Sequence, residues 1–278
     1  MSFQIKGPML FFGGPYSNLE ALQAVRNVAD EKNIAADHCL CSGDVVAYCA
    51  DPVPCVDYIR EWGAQVVKGN CEESLGSDAQ DCGCGFEEGT SCDLLSRQWF
   101  AYANDHLRDG HRAWMNTLPE TIRLHYRSLS LLAIHGGTEQ INRFIFASQG
   151  DAIAEELRLS NADIILAGHC GIPFARQIDD RLWVNGGVIG MPANDGQAHT
   201  WYCLIEPQQE TLAFSFHHLD YNHHLAARKM RERKLSPAYE QALSSGIWPG
   251  LDVLPDKEKS KTGKPLDLPP SVLFPPRV

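Results

Sequence analysis

Short apolar runs alternate along the first two thirds of the chain with segments of helical periodicity. The runs are 9–12 (MLFF), 38–41 (HCLC), 64–68 (AQVVK), 130–134 (SLLAI) and 162–167 (ADIILA). Runs this short, several of them β-branched, read as strands. After the first run Leu19, Leu22, Val25 and Val28 recur at helical spacing. Ser17 and Glu20 have the spacing of a capping box, which predicts a helix that starts at Asn18 with Ser17 as its cap. In PCVDYIREW, Cys55, Ile59 and Trp62 share one helical face. Strands that alternate with helices predict a layered α/β fold with a largely parallel central sheet. Three later runs, 182–184 (LWV), 200–205 (TWYCLI) and 211–216 (TLAFSF), are joined by short connections and predict a second, more antiparallel sheet. The expected architecture is a β-sandwich flanked by helices.

Three regions break this rhythm. Residues 73–92, rich in Gly, Cys and acid, read as an inserted loop. Residues 93–117 read as helical, with Leu94, Leu95, Trp99, Leu107 and Trp114 as apolar anchors. Residues 255–278 hold Pro and Lys and read as an extended tail, either disordered or strapped along the surface. The expected division is a domain over 1–254 and this tail.

Composition narrows the function. A chain of 278 residues can bury a large core without disulfides. A net charge of −11 argues against a broad electrostatic grip on nucleic acid or anionic membrane. It still admits a small anionic substrate held locally by a metal. No run approaches the ~18 apolar residues of a membrane span. The first residues, MSFQIKGPMLFF, lack the apolar segment and cleavage site of a signal peptide. The expected location is therefore cytoplasmic, with the 10 cysteines mostly reduced.

The candidate chemistry follows the early strands. MLFF runs into Gly13-Gly14-Pro15-Tyr16, HCLC into Ser42-Gly43-Asp44, and AQVVK into Gly69-Asn70-Cys71-Glu72. SLLAI runs into His135-Gly136-Gly137, and ADIILA into Gly168-His169-Cys170-Gly171. The carboxyl ends of parallel strands share one rim, where ligands bind. Asp44, Asn70, His135 and His169 are therefore expected to meet there. One carboxylate, one amide oxygen and two imidazoles suit a divalent transition ion (Mn, Fe, Zn, Co or Ni) better than Ca or Mg. Thiolates at Cys71 or Cys170 would shift the preference toward Zn or Fe. The 13–16 turn lacks the G-K-[ST] ending and lysine of a P-loop.

In their order these loops resemble the calcineurin-like metallophosphoesterases, specifically the compact bacterial and archaeal phosphodiesterase branch. The segments that carry the resemblance are GGPYSNLEAL (13–22), GDVVAYCADP (43–52), GNCEES (69–74), HGG (135–137), GHCGIPF (168–174) and VNGGVIGMPANDG (184–196). The resemblance implies a four-layer αββα sandwich and, in intact members, two metal ions that hydrolyse phosphate esters. It also exposes departures. Gly14 stands where the family has its first Asp, Tyr16 where it has its first His, and Gly171 at the second His of G-H-x-H. These three positions belong to one metal. The set implied for the other metal, Asp44, Asn70, His135 and His169, is complete. Cys71 replaces the His of G-N-H, which makes Cys71 and Asp44 the candidate catalytic groups.

Cys71 and Cys170 admit two readings: a thiolate or redox site, or small buried residues filling space left by lost histidines. C-x-C-x7-C at Cys82, Cys84 and Cys92 is not a standard zinc spacing. His217, His218, His223 and His224 are expected on a solvated surface. Asn185 is expected to order its loop. Three functions remain open. The first is a phosphoester hydrolase with one intact metal site, acting on a small phosphomonoester, phosphodiester or nucleotide. The second is a non-hydrolytic scaffold that binds a protein partner through 73–92 or the tail; a retromer subunit of similar fold is used that way. The third is a thiol-containing sensor.

Overall fold

The computed structural model describes residues 2–275. The amino-terminal segment, expected as one strand, divides into β1 (Ser2–Gln4) and β2 (Met9–Phe12), which enter different sheets. Helix α1 (Leu19–Glu31) leads to β3 (Cys39–Cys41), and α2 (Pro52–Trp62) leads to β4 (Gln65–Val66). Three helices follow: α3 (Asn70–Gly76), α4 (Ser91–His106) and α5 (Asp109–Thr117). Then come β5 (Ile122–Tyr126), β6 (Leu129–Ala133), α6 (Gly150–Ser160), β7 (Ile164–Ala167), β8 (Phe174–Ile178) and β9 (Arg181–Asn185). The long hairpin β10 (Thr200–Gln208) and β11 (Thr211–Leu219) precedes α7 (His223–Glu232), α8 (Pro237–Ser245), the short α9 (Asp256–Lys259) and β12 (Val272–Phe274).

These strands form two mixed six-stranded sheets, ordered β1-β5-β6-β7-β9-β8 and β12-β11-β10-β2-β3-β4. The early apolar runs do not share one sheet, as the sequence reading expected. β2, β3 and β4 lie parallel in one sheet, and β6 and β7 lie parallel in the other. The LWV run joins the second group as β9, while β10 pairs antiparallel with β2. Each sheet thus mixes parallel and antiparallel pairs, with β2, β3 and β4 at one edge of theirs and β6, β7 and β9 central in the other.

The two sheets pack face to face with helices outside, and side-chain alternation shows why the runs are continuously apolar. Phe11 and Leu40 face the layer between the sheets with Leu131, Ile164, Leu166 and Val184. Leu10, Phe12, Cys39 and Cys41 face the opposite way, into a core shared with Leu22, Val25, Cys55, Ile59 and Trp62 of α1 and α2. On the other sheet Leu132, Ile165 and Trp183 pack outward against Ile153 and Leu157 of α6. A strand covered on both faces needs apolar residues at every position.

The local differences have simple causes. The cap of α1 is Asn18, whose side chain accepts from Ala21 N; Ser17 instead adopts a left-handed φ of 57°. Glu20, freed from the expected capping box, pairs with Lys229 of α7 at 2.5 Å. The 73–92 segment is helical as far as Gly76, because α3 begins at Asn70. The 93–117 stretch breaks into two helices, and Leu94 is exposed while Trp99 and Leu107 are buried. Beyond 254, α9 docks Glu258 onto Ser148, and β12 pairs with the edge of β11. Residues 276–278 of the tail lie outside the described residues.

Candidate metal centre

The loops after β3, β6 and β7 and the start of α3 meet where the two sheets come together. Asp44 follows β3, Asn70 opens α3, His135 follows β6 and His169 follows β7. All four are buried, none more than 7% exposed. His135 Nε2 lies 3.0 Å from Asn70 Oδ1, 3.0 Å from His169 Nδ1 and 3.3 Å from Asp44 Oδ2. The ligand atoms of Asp44, His135 and His169 all lie within 4.8 Å of one another. Asp44 and His169 hold left-handed backbone, with φ of 56° and 59°. For non-glycine residues that conformation costs on the order of 1 kcal/mol or more, and it clusters at functional sites.

For His135, Asn70 and Asp44 the inward-facing atom is aimed by what the rest of the side chain does. His135 Nδ1 lies 2.6 Å from the Ser42 carbonyl, which can only accept, so Nδ1 carries the proton and Nε2 presents its lone pair inward. Asn70 Nδ2 donates to the Cys82 carbonyl at 2.9 Å, which turns Oδ1 toward His135. Asp44 Oδ1 accepts from Cys71 N at 3.1 Å. Two imidazole nitrogens, an amide oxygen and a carboxylate oxygen thus crowd together with few protons to share. One small cation would satisfy all four at once, and the mixed N/O set fits a divalent transition ion.

The electrostatics follow. Burial raises the Asp44 carboxyl, but His135, His169 and the Cys71 N–H outweigh it and hold the pKa below the ordinary range. Burial lowers His135, yet Asp44, the Ser42 carbonyl and Glu72 together raise it above the ordinary value. Burial and the neighbouring His135 push His169 down to about 3.

Glu72 is the residue the sequence reading passed over. It is fully buried and accepts from Asp44 N at 2.7 Å, Val45 N at 2.8 Å and Gly69 N at 3.0 Å. It therefore clamps the Asp44 loop onto the start of α3. Burial and the Asp44 charge raise its pKa to about 7. Its signal was present in the sequence: an acid at the third residue of a helix that opens after Gly69.

The thiols differ from the reading of Cys71 as a reactive group. Cys71 is 1% exposed and packs in the helix-side core. Burial, then the charges of Asp44 and Glu72, raise its thiol well above the ordinary range. Cys170 accepts from Asn185 Nδ2 at 3.2 Å, and burial pushes its pKa up to about 12. Neither environment favours a thiolate. Asn185 also donates to the Gly168 carbonyl and accepts from Gly187 N, so it orders the loops on either side of it. Cys82 and Cys84 are joined by a disulfide, a pairing their spacing did not suggest. Of the remaining histidines, His199, just before β10, stacks on His218 of β11 with centroids 3.7 Å apart, and His223 and His224 open α7. Among the described residues none of these joins Asp44, His135 and His169.

Beside these four candidate ligands the rim is filled by aromatic rings. A Cβ at Gly14 would overlap the Tyr16 ring, reaching 2.7 Å from Cζ. A Cβ at Gly171, whose φ is 76°, would come within 3.0 Å of Trp248 Cζ2. Trp248 is pinned there by its indole N–H on the Pro192 carbonyl at 2.6 Å and its backbone N–H on Asn194 Oδ1 at 2.9 Å. A cavity of ≈ 70 Å³ lies between these rings and the ligands. Its walls include Tyr16, Tyr48, Phe144, Tyr239 and Trp248 together with Asp44 and His169, and no described lining residue is Lys or Arg. Cys71 does not line it.

Comparison with known proteins agrees with this architecture. A family model for the calcineurin-like phosphoesterase superfamily domain matches residues 18–210. An uncharacterized protein of Methanocaldococcus jannaschii is 25% identical over 220 residues, covering 73% of this chain and 84% of that protein. The crystal structure of a metallophosphoesterase from Sphaerobacter thermophilus is 21% identical, with a TM-score of 0.67 over 86% of this chain and 99% of the other. A hypothetical protein from Pyrococcus horikoshii reaches a TM-score of 0.73 at 16% identity, over 89% of this chain and 100% of that one. Among the described residues no helix is long and apolar enough to cross a membrane. With the matched region covering more than half of the chain and the loops that carry Asp44, Asn70, His135 and His169, this chain belongs to the calcineurin-like phosphoesterase superfamily.

Proposed function

We propose that the protein hydrolyses small phosphoesters with one divalent transition-metal ion, held by Asp44, Asn70, His135 and His169. The observation that carries this reading is the convergence of their four ligand atoms, each aimed by a hydrogen bond elsewhere in its own residue or by the backbone around it. Such an ion polarises a phosphoryl oxygen and makes water a better nucleophile. The chain supplies the rest. Asp44 stays ionised and His169 stays neutral, so both keep their lone pairs at neutral pH. Glu72 holds the Asp44 loop in register with Asn70. The aromatic walls keep bulk water from the reacting group. In the reaction a bond forms from water oxygen to phosphorus, the ester P–O bond breaks, and the proton from water ends on the leaving alcohol.

We assign Cys71 a packing role, since its thiol faces the core and does not line the cavity. The cytoplasm is the compartment we propose, on the strength of the many buried free thiols.

The test is elemental analysis of protein purified without chelator, paired with assays on nitrophenyl phosphates. One transition ion per chain, with hydrolysis lost in Asp44→Asn, is the expected result. No ion retained or taken up would overturn the reading and favour the scaffold.

A further inference from the structure

We propose that Tyr16, Tyr48 and Tyr239 form the substrate-recognition surface of the cavity. In this assignment they select a singly charged phosphoester that carries an aromatic or other apolar group, and they reject nucleoside polyphosphates. The proposal rests on the single-ion reading above and narrows its substrate.

The three rings form one contact cluster. Tyr16 and Tyr48 meet edge to face with centroids 4.8 Å apart, and Tyr48 and Tyr239 lie 4.6 Å apart. All three line the cavity that holds Asp44 and His169. Tyr16 and Tyr239 are only 6% and 7% exposed. A phenol hydroxyl on a cavity wall can donate a hydrogen bond to a ligand placed there. The three hydroxyls are neutral donors in an apolar wall.

Charge sets the class of ligand. Among the described lining residues Asp44 is the one carboxylate, and none is Lys or Arg. A single divalent ion would then be the cavity's source of positive charge, which suits a phosphoester with one negative charge better than a polyphosphate. A nucleoside triphosphate would bring several charges into an apolar cavity with nothing to pair the excess, and unpaired buried charge is strongly disfavoured. The uncharged part of the ligand meets Phe144, Trp248, Met191 and Val188, surfaces that suit an apolar or planar group. Tyr16 is fixed in this wall because only glycine at position 14 leaves room for its ring.

The experiment is calorimetric titration of the metal-loaded protein with bis(4-nitrophenyl) phosphate, 4-nitrophenyl phosphate and ATP, alongside turnover of each. We expect the diester to bind at least tenfold more tightly than ATP. Tyr16→Phe and Tyr48→Phe should each weaken diester binding by about tenfold, the loss expected for a hydrogen bond to a charged group, with ion content unchanged. ATP binding as tight as the diester, or a Tyr16→Phe/Tyr48→Phe/Tyr239→Phe protein that binds the diester like wild type, would overturn the proposal. Failure to bind any of the three by protein carrying its ion would overturn it as well. Diester binding with the expected preference but without turnover would overturn hydrolysis and leave the recognition surface standing. Protein that takes up no ion would instead remove the reading on which the proposal rests.

Discussion

The rim has two halves built from the same parts. In each, glycine-rich loops leave parallel strands and meet where the sheets come together. One half gathers Asp44, Asn70, His135 and His169 within hydrogen-bond distances, with Asp44, Asn70 and His135 each aimed by a partner behind it. The other half places glycine at 14 and 171 and fills the space with Tyr16 and Trp248. Both are buried, yet one concentrates lone pairs and the other concentrates ring carbon. Buried polar atoms need partners, whereas buried rings need only shape. The first half therefore calls for a cation, and the second presents a packed aromatic wall beside it.

The sharpest way to break this contrast is to remove a ligand. His135→Ala takes away the residue whose Nε2 touches the other three, and should lower kcat/KM by a hundredfold or more, since even indirect supports of a metal ligand cost about 10- to 100-fold. Elemental analysis of the same preparation should show the ion lost. Preserved ion content would mean that the four residues are a hydrogen-bonded cluster and not a metal centre.

Glu72→Ala probes the support behind the ligands. Three backbone N–H groups would lose their acceptor in a buried site, at a cost of about 3 kcal/mol in denaturant unfolding. A cost under about 0.5 kcal/mol would show that the Asp44 loop holds its shape without the clamp.

The filled half is tested by Gly14→Ala, which forces a methyl into the Tyr16 ring and should cost about 1–3 kcal/mol. In a Tyr16→Ala background the same change should cost little, because the obstacle is gone. Equal costs in both backgrounds would mean that Gly14 is required by its backbone and not by Tyr16.

The smallest effect is a pH dependence confined to the ligand half. The His135 pKa lies above the ordinary value of 6.5, and its Nδ1 proton is committed to Ser42. As pH falls, the added proton therefore goes to Nε2 and removes a ligand lone pair. His169, pushed down to about 3, stays neutral over the same range. Apparent ion affinity should start to weaken above pH 6.5 and continue to fall below it. Titration of the ion with a competing chelator across pH would show this. Affinity flat between pH 8 and 6 would place His135 outside the ligand set.

Much of this was legible in the sequence, for local reasons. The order of strand, glycine turn and polar residue is carried by neighbouring positions, so 43–44, 69–70, 135–137 and 168–169 could be read as strand-end loops without a fold. Cys55, Ile59 and Trp62 could be read as one buried face from spacing alone, and all three are buried. Other features were present in the sequence but misread. The I-R-L-H-Y alternation of β5 is a clean period of two, and it went unnoticed beside the longer apolar runs. The S-x-x-E box at Ser17 was plausible locally. It lost to a turn in which Ser17 N donates to the Val45 carbonyl, leaving Asn18 to cap.

The sequence by itself determined the alternation of strands and helices, the identities of the four ligand candidates and the glycines at 14 and 171. Each of these is a property of residue type and short-range spacing. Only the tertiary structure decided which sheet each strand joined, because continuous apolar runs look alike whether the second covering layer is a helix or another sheet. Only it could turn Cys71 toward the core and bring Trp248 onto Gly171 and Tyr48 and Tyr239 onto Tyr16, since those contacts join segments whose proximity no local pattern encodes.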